Sequence, residues 1–294
     1  MTRAPPLFDE TTLRRLERLA LISRRALAGQ VEGERRSPKR GRSVEFADFR
    51  AYAPGDDFRQ IDWNAYARLE RFYLKLFLQE EDLTVHILLD ASKSMDWGEP
   101  NKWVYARQLA GALGYIALCG LDRVTVTAFH GTGTRTFPPH RGKDQAMALF
   151  AFLSELPAGS TTGIASSLHS YAAAAPRPGP LLLISDLLDP GWQEGLHSLL
   201  MRPFEVTVLH LLSPDEVAPD LSGDLRLVDV ETAGPCEVTA DPLTLRRYRQ
   251  GVAAWREELR QQCGRWGFAY VPLESDVPLE TLIWAVLRKK GVLR

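Results

Sequence analysis

The chain has 294 residues, 45% hydrophobic and 25% charged, a composition that suits an ordinary globular protein with one large core or two modest ones. A net charge of −1 gives no global pull towards nucleic acid or an anionic membrane. Cys119, Cys236 and Cys263 are far apart and form no C-x-x-C pair, which argues against a disulfide framework or a zinc knuckle and for a reducing compartment.

Residues 9–28 read as a helix that starts near Asp9 and ends before Gly29, with Leu13, Leu16, Ala20 and Leu27 on its apolar face. The apolar stretch at 19–22 is short and flanked by arginines, unlike a signal peptide. No apolar run approaches the roughly 18–20 residues that cross a bilayer, so a cytoplasmic setting without a membrane span is expected. Residues 29–43 form a basic loop in which Arg35, Arg36, Lys39, Arg40 and Arg42 concentrate. Without interleaved aromatics, the run 35–42 is first a solvated loop and only secondarily a nucleic-acid site.

Residues 41–68 are dense in aromatics and charges around a turn at Pro54-Gly55-Asp56-Asp57. Two readings stand for this stretch. The favoured one is a structural clamp, with Asp62 paired to Arg50 or Arg68 and Trp63 buried, because aromatic-rich segments usually pack. The other is a partner-binding surface. Residues 71–80 alternate apolar and polar as a strand does.

Beyond residue 82 the pattern turns regular. Apolar strands at 83–90, 122–129, 180–186, 204–212 and 268–273 alternate with helices at 101–119, 143–155, 162–175, 191–201, 242–263 and 278–289. An extended piece, TRTFPP, follows the second of these strands, and two short strands fall within 224–239. Such alternation predicts an α/β fold: a doubly wound, mostly parallel sheet flanked by helices. The expected division is an N-terminal helix and extended segment over 1–80, then one domain over 81–294. Sheets of this kind bind ligands at the carboxyl ends of their strands, near a topological switch point.

The first buried strand ends in Asp90-Ala91-Ser92-Lys93-Ser94, a D-x-S-x-S sequence. A strand-end carboxylate followed by two hydroxyls sets three oxygens about one point, donors that suit a hard cation such as Mg²⁺ or Mn²⁺. Serine hydroxyls are neutral ligands and leave the ion electrophilic towards an incoming carboxylate. The loop Gly159-Ser160-Thr161-Thr162-Gly163 and Asp186 are expected at the same end of the sheet. Lys93 is read as a solvated side chain, and Asp96 and Asp189 as ordinary loop acids. The histidines show no H-x-x-H or H-E-x-x-H grouping, which argues against catalytic zinc.

This constellation resembles the metal-ion-dependent adhesion site of von Willebrand factor type A domains. The resemblance implies that Ser92 and Ser94 ligate directly and that Asp90 and Asp186 act largely through water. It implies a threonine ligand as well, best matched by Thr162, because Thr162-Gly163-Ile164 and Leu168 follow that family's spacing; Thr161 remains open. Upstream, VEFADFRAYAPGDDFRQIDWNAYAR followed by the D-x-S-x-S strand resembles the bacterial domain-of-unknown-function 58 family, from about Gly33 to the C-terminus. Members of that family are often encoded beside MoxR-type AAA+ ATPases, which implies a partnership in assembling or maturing other proteins.

The expected function is a non-catalytic, metal-dependent protein-binding module to which a MoxR-type ATPase or its client donates a carboxylate. A rival is a Mg²⁺-dependent phosphatase-like enzyme with Asp90 as nucleophile. That chemistry wants a second carboxylate two residues on as general acid, where this chain has Ser92. No G-x-x-x-x-G-K-[ST] loop is present, so the chain itself is not expected to be an ATPase. Nucleic-acid binding through 35–42 is a further alternative.

Overall fold

The computed structural model describes residues 7–19, 21, 44–52, 58, 61–79, 84–131, 133–159, 163–175, 177–230 and 234–293. The basic run 35–42, the turn at 54–57, Thr161 and Thr162 lie outside the described residues. The chain divides into two compact units, Met1–Arg24 with Leu83–Arg294, and Arg25–Asp82.

The larger unit is built on a six-stranded sheet. Its central strand, β3 (Thr84–Asp90), is buried at every position, as expected of a strand covered on both faces. The other strands are β4 (Arg123–His130), β5 (Gly133–Arg141), β6 (Pro180–Ser185), β7 (Glu205–Leu212) and β10 (Ala269–Glu274), in the order β10-β7-β6-β3-β4-β5. All pairs are parallel except β4–β5, where TRTFPP extends into an antiparallel edge strand. The chain passes from β3 to β4 on one side and later places β6 on the other, which opens a switch point between the ends of β3 and β6.

Strand alternation divides the core into two clusters. Val85, Ile87 and Leu89 of β3 pack with Leu109, Leu113 and Ile116 of α3 (Lys102–Cys119). Leu88 packs on the opposite face with Ile164 and Leu168 of α5 (Ile164–Ala174) and Leu196 of α6 (Trp192–Ser198). The first face also holds Leu149 and Leu153 of α4 (Ala146–Ser154) and Leu16 of α1 (Glu10–Leu16). Glu17, just past α1, accepts a 2.7 Å hydrogen bond from the Tyr115 hydroxyl. The N-terminal helix therefore belongs with the sheet and not with the segment that follows it. The second face is closed by Leu259 and Cys263, the fully buried residues of α8 (Pro242–Arg265). Asp241 starts that helix by accepting from the Thr244 amide at 2.6 Å, with Pro242 in the first turn. Between β7 and α8 lie α7 (Pro214–Val217) and a hairpin of β8 (Gly223–Val228) and β9 (Pro235–Ala240). Among the described residues no helix is long and apolar enough to cross a membrane.

The smaller unit pairs β1 (Val44–Ala51) with β2 (Tyr73–Gln79) in an antiparallel hairpin and carries α2 (Trp63–Leu69) between them. The register shifts between Phe46 and Asp48, a bulge that interrupts the alternation of β1 and hides this strand from a period-two reading. Asp62 is buried, and its Oδ1 accepts from the Ala65 amide at 3.3 Å at the start of α2. The side chain of Arg50, one of its two expected partners, lies outside the described residues. Trp63 corrects the sequence reading: it is 60% exposed, not buried. Its ring meets Tyr66 and Phe72 edge-on, and those two rings stack at 4.5 Å, so the aromatics pack on one another at the surface.

Candidate metal centre

The end of β3 is tied to its neighbours. Ala91 N donates to the Phe129 carbonyl at 2.8 Å, continuing the ladder one residue past the strand. Asp90 is fully buried; its Oδ1 accepts from Ser92 N at 3.0 Å, and its Oδ2 from the Ser185 hydroxyl at 2.6 Å. Ser92 and Ser94 are buried and Lys93 between them is exposed, as the 3-10 turn Lys93–Met95 dictates, with Met95 locked in the core. The two serine Oγ atoms lie 3.0 Å apart.

Gly159 brings a second loop to this turn. Its N–H donates to the Ala91 carbonyl, and a Cβ there would stand 2.6 Å from that oxygen and 2.7 Å from His130 Cβ, so only glycine fits. The loop leads towards Thr161 and Thr162, whose own positions are outside the described residues. On its far side, Asp189 Oδ2 accepts from Ile164 N at 3.2 Å and Oδ1 from Gly191 N at 2.6 Å. Asp189 thereby ties the stretch after β6 to the start of α5, a structural task for a loop acid.

Asp186 follows β6 and is 1% exposed. Its Oδ1 accepts from Leu188 N at 3.3 Å and its Oδ2 from Lys102 Nζ at 2.8 Å. Lys102, in the first turn of α3, has no exposed surface; its Nζ also donates to Glu216 Oε1 at 2.6 Å. Glu216 is held by a capping box on α7, in which its Oε2 accepts from Ser213 N at 2.7 Å and its own N–H donates to Ser213 Oγ at 3.3 Å. His210 Nε2 donates to the Asp186 carbonyl at 3.0 Å, since a carbonyl can only accept; its Nδ1 therefore accepts from the Tyr270 hydroxyl at 2.7 Å.

Buried carboxyls and one ammonium meet here. Burial, and then repulsion from Asp186, push the Asp90 carboxyl up to about 7, against the hydrogen bonds from Ser185 and Ser92 that favour its anion. Burial works to lower Lys102, but Asp186 and Glu216 together outweigh it and raise its pKa, so the side chain is an ammonium. Burial, with Arg256, pushes His210 down to about 3, and it stands as neutral imidazole.

The donors present suit a hard cation. Among the described residues no three His, Cys, Asp or Glu side chains gather as a metal cluster, so an ion held here would need hydroxyls among its ligands. The Ser92 and Ser94 hydroxyls lie at a spacing close to the edge of an Mg²⁺ octahedron, about 2.9 Å for metal–oxygen bonds of about 2.0–2.1 Å. The same spacing serves as a hydrogen bond between the two hydroxyls. Asp90, Ser92, Ser94 and Asp186 are thus brought to one end of the sheet.

The family model for "Protein of unknown function DUF58" matches residues 48–258. The chain belongs to this family. Uncharacterized proteins of Mycobacterium bovis and Mycobacterium tuberculosis are each 26% identical to this DUF58 protein over 268 residues, covering 89% of it and 84% of their own length. An uncharacterized protein of Mycobacterium avium is 30% identical over 122 residues, 41% of this chain and 71% of its own. Among solved structures, the conserved hypothetical protein BatB of Bacteroides thetaiotaomicron is similar at 17% identity and a TM-score of 0.45, covering 71% of this chain and 98% of its own. An aerotolerance-related membrane protein of Bacteroides fragilis is similar at 16% identity and a TM-score of 0.46, covering 70% and 99%.

Three residues of this DUF58 site escape a reading of the sequence: Ser185, Lys102 and Glu216. The Ser-Pro-Asp-Glu run at 213–216 is a legible helix start, and Lys102 is a cation at the head of a helix that is otherwise largely apolar. Neither signal says that the two side chains meet.

Proposed function

We propose that this protein is a non-catalytic, divalent-metal-dependent protein-binding module with a von Willebrand factor type A-like core. The observation that carries the reading is the Ser92–Ser94 hydroxyl pair, 3.0 Å apart over buried Asp90 at the sheet's switch point. Ser92 and Ser94 would hold Mg²⁺ or Mn²⁺ directly, Asp90 and Asp186 would support it, and Thr162 or Thr161 would complete the set. A bound ion supplies a positive charge that a partner's carboxylate can ligate. Asp90 keeps both oxygens in hydrogen bonds and has no exposed surface, which favours holding over nucleophilic attack. The family's resemblance-based link to MoxR-type AAA+ ATPases makes such an ATPase, or the client it remodels, the proposed donor of the carboxylate.

The test is titration calorimetry of the full chain against a MoxR-type ATPase, with Mg²⁺ and with chelator. Binding is expected only with metal and is expected to vanish in Ser92→Ala, which stays folded. Equal affinity in both conditions would remove the metal bridge. Asp186→Ala is a poor probe, because it takes one of two anions from a buried ammonium, and breaking such a pair costs about 3–5 kcal/mol.

A further inference from the structure

A lysine with no exposed surface persists only where opposite charge replaces its lost hydration. Lys102 has two such partners, and they differ in kind. Glu216 lies on α7 and is fixed by its capping box with Ser213. Asp186 lies at the candidate metal centre, and its Oδ2 is already committed to the ammonium at 2.8 Å. A divalent ion at Ser92 and Ser94 that draws on Asp186 has to share this carboxylate with a cation covalently part of the chain.

We propose that Lys102 is the resident cation of the site: it neutralises Asp186 when no divalent ion is bound, and sets metal affinity by competing for that carboxylate. The proposal rests on the metal-centre reading above. It accounts for a buried ammonium beside the acids of the site, where one cation faces two carboxylates. Two cations a few ångströms apart in a protein interior repel strongly enough to change binding by about tenfold or more. Glu216 works in the opposite sense. By holding the ammonium from the far side, it limits how fully Lys102 occupies Asp186.

The experiment is calorimetric titration of the full chain with MnCl₂ in the parent, Lys102→Met and Glu216→Gln, with melting followed by circular dichroism with and without Mn²⁺. Lys102→Met is expected to bind Mn²⁺ at least about tenfold more tightly than the parent, by relief of the repulsion. Glu216→Gln is expected to bind more weakly, because the ammonium then leans on Asp186 alone. Adding Ser92→Ala to Lys102→Met is expected to remove the gain. Should Lys102→Met fold only with Mn²⁺, the ion has replaced the missing charge, which supports the proposal. If the parent binds Mn²⁺ and Lys102→Met binds it equally, the competition is refuted while the metal centre stands. If neither folded protein binds Mn²⁺, the metal-centre reading fails and takes this proposal with it. A Lys102→Met that stays unfolded with Mn²⁺, together with unchanged affinity in Glu216→Gln, also overturns it.

Discussion

His86 lies on β3, 1% exposed, with its Nδ1 2.6 Å from the Tyr171 hydroxyl. Burial pushes the imidazole down to about 4, against a smaller opposing influence from the Arg177 backbone. An unfolded histidine titrates near 6.5, so the native state refuses a proton that the unfolded chain accepts. The sign follows: this contribution to stability is complete above pH 6.5 and is lost as pH falls towards 4. Linkage puts the full loss at about 3 kcal/mol. Urea denaturation at pH 7 and pH 4.5 is expected to show a drop in the parent about 2–3 kcal/mol larger than in His86→Gln. Equal drops in the two proteins would contradict the account. Some acid sensitivity should survive the substitution, because His210 is held neutral by the same kind of burial.

Among the elements, α2 is where sequence reasoning misjudged a role. Its stretch is aromatic enough to suggest a buried anchor, yet Trp63 and Phe58 are exposed, and Tyr66 and Phe72 are only partly covered. Trp63→Ala is therefore expected to cost about 1 kcal/mol or less in equilibrium denaturation, against the roughly 3–5 kcal/mol of a core aromatic. A loss in the upper range would mean that the ring is covered in solution. The strands behave differently. Runs such as TVHILLD and PLLLIS announce themselves because a strand buried on both faces has no polar alternation to hide behind, and both were legible to within a residue or two. The bulged β1 was not legible, since one extra residue breaks the period on which the reading depends.

At the scale of the whole molecule, the metal reading predicts a stability effect separate from any partner. An ion that binds only the folded chain stabilises it by mass action, about 2.7 kcal/mol at a hundred times its dissociation constant. Mg²⁺ or Mn²⁺ is accordingly expected to raise the melting temperature of the parent and to leave Ser92→Ala unmoved. A parent that melts identically with metal and with chelator would argue that the serine pair is a hydrogen-bonded turn and nothing more. On the proposal above, Lys102 would let the fold stand without the ion, and metal would be expected to add stability without being required for folding.

The sequence by itself determined the alternation of strands and helices, the acids at the ends of β3 and β6, and the D-x-S-x-S turn, because each is written in a few consecutive residues under local rules. Family membership was equally legible, in the motif order from Val44 to Ser94. Only the tertiary structure decided what surrounds those acids. Lys102 meets Asp186 across 84 residues of chain and Glu216 across 114, and Ser185 reaches Asp90 across 95. Charge pairing acts through space and depends on which groups lose water together, and no period or spacing along the chain encodes that.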